Sequence, residues 1–249
     1  MRGSRFLVAG LMFSAGVAMV VAQQGRQGGG GGGPTALVVN KAVQEDVKMT
    51  EEQIEKVKGW AKEFGTKRME ANKEAFAGLK DLGAEERTAK MAEMAAATSK
   101  EAYKELADVL KPEQMKRVKQ IDIQNSGVNA FTNADVVAAL KLTDEQKTTI
   151  KAVTAEFRKD SGEIRTEAGF GGGAKGAGGK GGGKGFDATK MADMNKKISK
   201  LQKESMDEIS KKLTPDQVKA WKELTGEAFD TTKLQGGFGG GNTKKKDVE

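Results

Sequence analysis

The chain has 249 residues, of which 31% are charged and 5% aromatic, with a formal net charge of +7 and neither cysteine nor histidine. Without cysteine there are no disulfide staples. Without either residue type the usual zinc, copper and haem ligands and the commonest nucleophile–base pairs are missing, so neither a cofactor nor an enzyme is expected. The positive excess lies outside the patterned segments: residues 35–130 carry 17 basic and 17 acidic side chains, 131–168 carry 6 and 7, and 186–235 carry 10 and 9, so no basic nucleic-acid face is expected.

In chain order, residues 1–22 read as an export signal. Arg2 and Arg5 precede an apolar run over 6–22, and Val20-Val21-Ala22 places small residues at a cleavage site. That run of 17 residues also sits at the lower limit of a membrane span, so a retained anchor is the alternative to cleavage. No later segment is apolar enough to cross a bilayer, and after cleavage the chain is expected to be periplasmic or secreted with no stable membrane span. Residues 23–34 form a Gly-rich linker. Two more Gly-rich tracts follow: a loop at 169–185, with eleven glycines in seventeen residues, and the start of a tail at 236–249. Their backbone freedom and lack of side chains to bury predict disorder. Gly178, Gly183 and Lys184 fall at phosphate-loop spacing, but Gly185 stands where the hydroxyl is needed and no strand precedes them, so the linker reading is preferred.

The remainder is helical by composition and period. Apolar residues recur on one side of charged segments: Ile54, Val57, Ala61 and Phe64; Met91, Met94, Ala102, Leu106 and Leu110; Ile150, Val153 and Phe157; Met191, Met194, Ile198 and Leu201. No stretch alternates long enough to predict a strand. A shift of 93 residues lays "VKMTEEQIEKVKGWAKEF" over "LKLTDEQKTTIKAVTAEF", and a shift of 103 lays "KEAYKELADVLKPEQMKRVKQI" over "KESMDEISKKLTPDQVKAWKEL". These offsets predict an all-α, elongated tandem duplication. One helical-hairpin unit covers 35–130 and a second covers 131–235, joined near 124–133, with the Gly-rich loop replacing the tip of the second hairpin.

Each unit carries two copies of one phrase: Met49-Thr50…Gln53 and Leu110…Pro112…Gln114 in the first, Leu142-Thr143…Gln146 and Leu213-Thr214…Gln217 in the second. Read physically, the phrase starts a helix. The threonine hydroxyl accepts from an orphan N–H of the first turn, the glutamine three residues on reaches back to the cap N–H, and acidic residues between them suit the dipole. Pro112 and Pro215 fall where a missing N–H is harmless. Lys111 in place of the capping hydroxyl and Lys147 in place of the apolar fourth residue predict weaker starts.

With those four phrases the chain resembles the LTxxQ-motif proteins of the Spy/CpxP type, exported all-helical envelope proteins, and is similar to the secreted LTxxQ proteins of planctomycete bacteria; "AFTNADVVAALKLTDEQ" (130–146) matches their usual lead-in. The resemblance implies long helical hairpins, often paired as a cradle-shaped dimer, acting as an ATP-independent chaperone or envelope-stress accessory. Its partners would be unfolded or envelope proteins, with room for a homodimer. Zinc-binding members use residues such as histidine, which this chain lacks. Ile54, Val57, Phe64, Val153 and Phe157 are the candidate client face. The alternative is a non-catalytic structural or interaction protein of the envelope, including a ligand for a sensor domain. Burial of these stripes would favour it; an exposed apolar patch would favour the chaperone.

Overall fold

The computed structural model describes residues 33–169 and 188–238. The expected signal peptide, nearly all of the first Gly-rich linker, most of the Gly-rich loop and the end of the tail lie outside the described residues. The all-α expectation holds: every regular element among the described residues is helical. In order they are α1 (Pro34–Val39), α2 (Lys41–Asp46), α3 (Glu51–Gly78), α4 (Ala84–Leu106), α5 (Pro112–Ser126), a 3-10 segment (Gly127–Thr132), α6 (Ala134–Ala139), α7 (Asp144–Glu167), α8 (Ala188–Ser210), α9 (Pro215–Thr225) and a second 3-10 segment (Thr231–Phe238).

The short helices before each first phrase are built alike. Asn40 Oδ1 accepts from Ala42 N at 2.9 Å to start α2, and Asn133 Oδ1 accepts from Asp135 N at 2.8 Å to start α6. Both helices then stop on a lysine in the left-handed region, Lys48 at φ 53° and Lys141 at φ 50°. The N–H of Met49 donates to Gln44 O at 2.9 Å and that of Leu142 to Val137 O at 3.3 Å, so orphan carbonyls at the helix ends are satisfied. A non-glycine residue in this region costs about 1 kcal/mol. In return the chain reverses within two residues and delivers the next threonine to the start of a long helix.

Two apolar cores follow from this geometry. The first gathers Leu37, Val38, Val43 and Val47 with Val57 of α3, Leu106 of α4, Leu110, and Met115, Val118 and Ile121 of α5. The second gathers Val128, Phe131, Val136, Leu140 and Leu142 with Ile150, Val153 and Phe157 of α7 and Ile209 of α8. Val38, Val43, Val47 and Val57 stand 93 residues before Phe131, Val136, Leu140 and Ile150, and Leu106 stands 103 before Ile209, all buried. Each such side chain stabilises the fold by about 1.5–3 kcal/mol on burial.

The segment at 124–133, expected to join two units, is itself part of the packing. Val128, Ala130 and Phe131 within it are buried, and Phe131 stacks on Trp221 with ring centroids 4.4 Å apart. The two halves also interlock at their ends. Gln124 Nε2 on α5 donates to Thr225 O at 2.6 Å and Glu227 O at 2.7 Å, its Oε1 accepts from Phe229 N at 2.7 Å, and Arg117 Nη1 donates to Glu227 O at 2.7 Å. Residues after α9 thereby return to the first half, where Phe229 and Leu234 pack on its core and Asn40 Nδ2 donates to Lys233 O at 3.3 Å. Gly127 (φ 52°) and Gly226 (φ 63°) make the turns after α5 and α9, and a Cβ on either would press into the amide of Gln202 or Gln120.

Candidate functional site

The four phrases do start helices, and the structure adds what their glutamines do next. Thr50, Thr143 and Thr214 each accept from the backbone N–H of Gln53, Gln146 and Gln217, at 3.2, 3.2 and 3.3 Å. The side chains of the glutamines accept from the cap N–H in return, at 3.1, 3.0 and 2.9 Å. At the degenerate phrase only half of the box forms. The Lys111 ammonium has no lone pair, but Lys111 N still donates to Gln114 Oε1 at 3.0 Å. Pro112 and Pro215 occupy the first turn, as expected. Lys147 compensates by pairing with Asp144 at 2.9 Å, which lowers the Asp144 carboxyl below its ordinary range.

The two glutamines of each half then meet face to face. Gln53 Nε2 donates to Gln114 Oε1 at 2.7 Å and Gln114 Nε2 donates back to Gln53 Oε1 at 3.0 Å. In the second half Gln146 Nε2 donates to Gln217 Oε1 at 2.7 Å and receives from Gln217 Nε2 at 2.9 Å. The remaining donors reach carbonyls: Gln53 that of Val109 at 2.9 Å, Gln114 those of Val47 and Lys48 at 3.2 and 3.1 Å, Gln146 that of Lys212 at 2.8 Å, and Gln217 that of Lys141 at 3.4 Å. Each amide oxygen therefore accepts twice, once from its own helix and once from its partner. Glutamate would complete the same capping box but supplies no donor, and two carboxylates in contact would repel. The sequence reading missed this joint. Its signal was present, because glutamine is the one residue unchanged in all four copies. Beside the pairs, Leu110 and Leu142 are buried and Met49 and Leu213 pack half-buried against the cores.

The candidate client face is corrected. Val57 is fully buried, Phe64, Val153 and Phe157 are buried, and Ile54 is half-buried. A one-sided apolar stripe is the pattern of a core-facing helix as much as of a docking face, and here α1 packs on α3 while α8 and the 3-10 segment Gly127–Thr132 pack on α7. Trp60 and Trp221 are packing anchors: Trp60 stacks on Phe64 at 5.0 Å and donates Nε1–H to Glu105 Oε2 at 2.7 Å. Met91, Met94, Met191 and Met194 are half-buried.

Among the described residues, two of the three exposed large apolar side chains lie on the first hairpin, the third being Val39 at the end of α1. α7 and α8 pack closely, whereas α3 and α4 are in sparse contact. Near its root the first hairpin is tied by polar groups. Lys67 Nζ lies 3.1 Å from Glu101 and 3.4 Å from Glu105; Arg68 Nη1 lies 2.9 Å from Glu101, and its Nη2 lies 2.5 Å from Thr98 Oγ1. The hydrogen bonds from Lys67 hold the Glu101 carboxyl below its ordinary range and raise the Lys67 ammonium. Arg68 Nε is buried without a partner. Beyond Arg68, Met69 is 60% and Phe76 46% exposed, and with Arg68, Asn72, Lys73 and Lys80 they line an open groove of about 900 Å³. Arg68, Met69 and Phe76 stand 93 residues before Ser161, Gly162 and Gly169, so three large side chains replace three small ones; the shift was legible in sequence, its consequence was not.

One buried polar pair belongs to the first half alone. Tyr103 Oη donates to Asp122 Oδ2 at 2.5 Å, and burial pushes both groups above their ordinary range, the hydrogen bond from Tyr103 opposing the rise at Asp122. Among the described residues no three acidic side chains converge as a metal site would require, and no helix is long and apolar enough to cross a membrane. Compared with family models, with curated proteins and with solved structures, the chain matches none.

Proposed function

We propose that the chain is an exported, non-catalytic LTxxQ protein of the cell envelope, built by tandem duplication, that engages a protein partner through the outer side of its first hairpin. The observation that carries this reading is the burial of the expected client stripe. With Val57, Phe64, Val153 and Phe157 taken into the interior, the large apolar side chains left exposed among the described residues are Val39, Met69 and Phe76, and two of these share one face of α3. Duplication is supported by the matching Asn40 and Asn133 caps, the matching left-handed Lys48 and Lys141, and the paired glutamines at separations of 61 and 71 residues. Export is supported by the signal pattern of residues 1–22.

A second reading, an ATP-independent holdase, is favoured by the exposed thioether of Met69, because flexible sulfur side chains suit variable surfaces. A light-scattering assay with a chemically denatured client and no nucleotide separates the two. A partner-specific protein leaves aggregation unchanged at several-fold excess. Suppression that disappears in Met69→Ser/Phe76→Ser, with helicity retained, puts the holdase in its place. Fractionation that finds the full-length chain only in the cytoplasm removes the envelope assignment.

A further inference from the structure

We propose that the groove along α3 is a docking site for one acidic amphipathic helix of a partner protein, whose apolar residues one heptad apart seat on Met69 and Phe76 while flanking carboxylates meet Lys73 and Lys80. The inference rests on the interaction reading above and adds the chemistry of the partner.

The first argument is spacing. Met69 and Phe76 are seven residues apart, as are Lys73 and Lys80, and all four line the groove. Seven residues rise about 10.5 Å along a helix, so Met69 and Phe76 repeat at the interval at which a partner helix presents one face, with Lys73 on α3 and Lys80 in the turn just after it alongside. The lining runs from Gly65 to Lys80, about 22 Å at the same rise, or roughly four turns of a partner. Asn72, on the side of the apolar row away from Lys73, offers an amide.

Charge is the second argument. The cations deeper in the hairpin are already engaged, Lys67 and Arg68 by Glu101 and Glu105. Lys73 and Lys80 make no ion pair or hydrogen bond among the described residues. A second copy presenting the same face would set these lysines against themselves. The remaining segments of the chain complement them poorly: Lys175, Lys180 and Lys184 are the only charges of the Gly-rich loop, the segment before α1 carries Arg2, Arg5 and Arg26 with no acid, and the tail sets Lys244, Lys245 and Lys246 beside Asp247 and Glu249. Like charge opposed across a contact suppresses the wrong partner, and opposite charge selects the right one. Two exposed apolar side chains are also too few to insert into a lipid surface.

The third argument is an internal control. At the positions of Met69, Lys73 and Phe76 the second half carries Gly162, Thr166 and Gly169, and Ser161, at the place of Arg68, is buried with its hydroxyl on Phe157 O at 2.6 Å. That hairpin is closely packed and lacks both rows. Among the described residues the site is therefore single, and binding is one to one.

The test is fluorescence anisotropy of the full-length protein against a labelled helical peptide of about 18 residues, long enough to be helical in water. The peptide carries two leucines one heptad apart and glutamates beside them; a matched peptide has lysine for glutamate. Expected are saturation at one peptide per chain, binding of the lysine peptide weaker by about tenfold or more, and weakening with salt. Lys73→Glu/Lys80→Glu inverts the preference, and Met69→Ser/Phe76→Ser abolishes binding of either, with unchanged circular dichroism in both variants. Equal binding of the two peptides overturns the proposal. So does sedimentation with anionic phosphatidylglycerol vesicles that needs the same residues without peptide selectivity, or self-association by sedimentation velocity that Met69→Ser/Phe76→Ser removes. If neither peptide binds while a photo-crosslinker at Phe76 still joins a single envelope protein, the acidic-helix inference falls and the interaction reading stands.

Discussion

The two hairpins start from the same joint and end differently. α3 and α7 both begin at a capped threonine, both send a glutamine into an amide pair, and both bury a phenylalanine about three turns further on, Phe64 and Phe157. One turn later they part. α7 places Ser161 against α8, small enough for close packing and with its hydroxyl satisfied by its own helix. α3 places Arg68 there, whose guanidinium needs Glu101 and Thr98 and leaves Nε unpartnered. A single bulky, charged residue in a core row is enough to hold the backbones apart, because its desolvation must be offset by hydrogen bonds before any apolar contact can form. The comparison teaches that two arms with the same start come to pack differently when side-chain volume changes at one level of the hairpin.

The comparison is broken most forcefully by exchanging these residues. Ser161→Arg puts an unpaired cation between α7 and α8, and urea denaturation is expected to show a loss of about 3–5 kcal/mol. Next come the joints: Gln114→Ala and Gln217→Ala each strip a buried amide of its partners and strand its mate, with an expected loss of about 2–4 kcal/mol of similar size in both halves. Unequal losses would mean that the missing threonine at Lys111 has already loosened the first joint. Smaller again is the cost at the turns. Gly127→Ala and Gly226→Ala force a methyl into the left-handed region beside a glutamine, and thermal melts should report about 1–2 kcal/mol each.

Two milder changes sharpen the contrast. Arg68→Ser is expected to bring α3 and α4 together at the level of Thr98, at a change in stability within about 1 kcal/mol, read as a shortened distance between spin labels on exposed positions of the two helices. The Tyr103–Asp122 pair gives the first half a pH dependence that the second lacks, since Met206 and Thr225 occupy the corresponding places. Asp122 is raised by burial, so the native state holds its proton where the unfolded chain has released it, and this group takes stability away as pH rises from the ordinary carboxylate range through the raised value. Asp122→Asn keeps an acceptor for the tyrosine hydroxyl and is expected to flatten that slope in urea titrations at stepped pH.

How far the fold could be read beforehand follows from what each residue expresses locally. Helix starts are local chemistry, and Thr50, Thr143 and Thr214 announced theirs. α1 and α2 went unread because each is six residues long, too short for a helical period, and α1 is rich in β-branched residues; a repeated asparagine cap marked α2 alone. The stripe through Val57, Phe64, Val153 and Phe157 was seen but misassigned, since periodicity reports an apolar face and not what covers it. The amide pairs were hidden for the opposite reason. Their partners stand 61 and 71 residues apart, and only the insistence on glutamine where glutamate would cap equally well carried their trace. The groove required the volume of Arg68 to be set against its neighbour on another helix.

The joints that bring these helix starts together are built wholly from neutral amides. Four helix N-termini meet there in two pairs, each end bearing a partial positive charge, a setting in which a histidine or carboxylate clasp would form in one range of pH and fail in another. An amide has no proton to gain or lose across that range, and its hydrogen bonds are screened little by salt. The scaffold's central fastening is thus indifferent to the acidity and ionic strength of its surroundings, whereas the Tyr103–Asp122 pair and the charged contacts of the first hairpin are not.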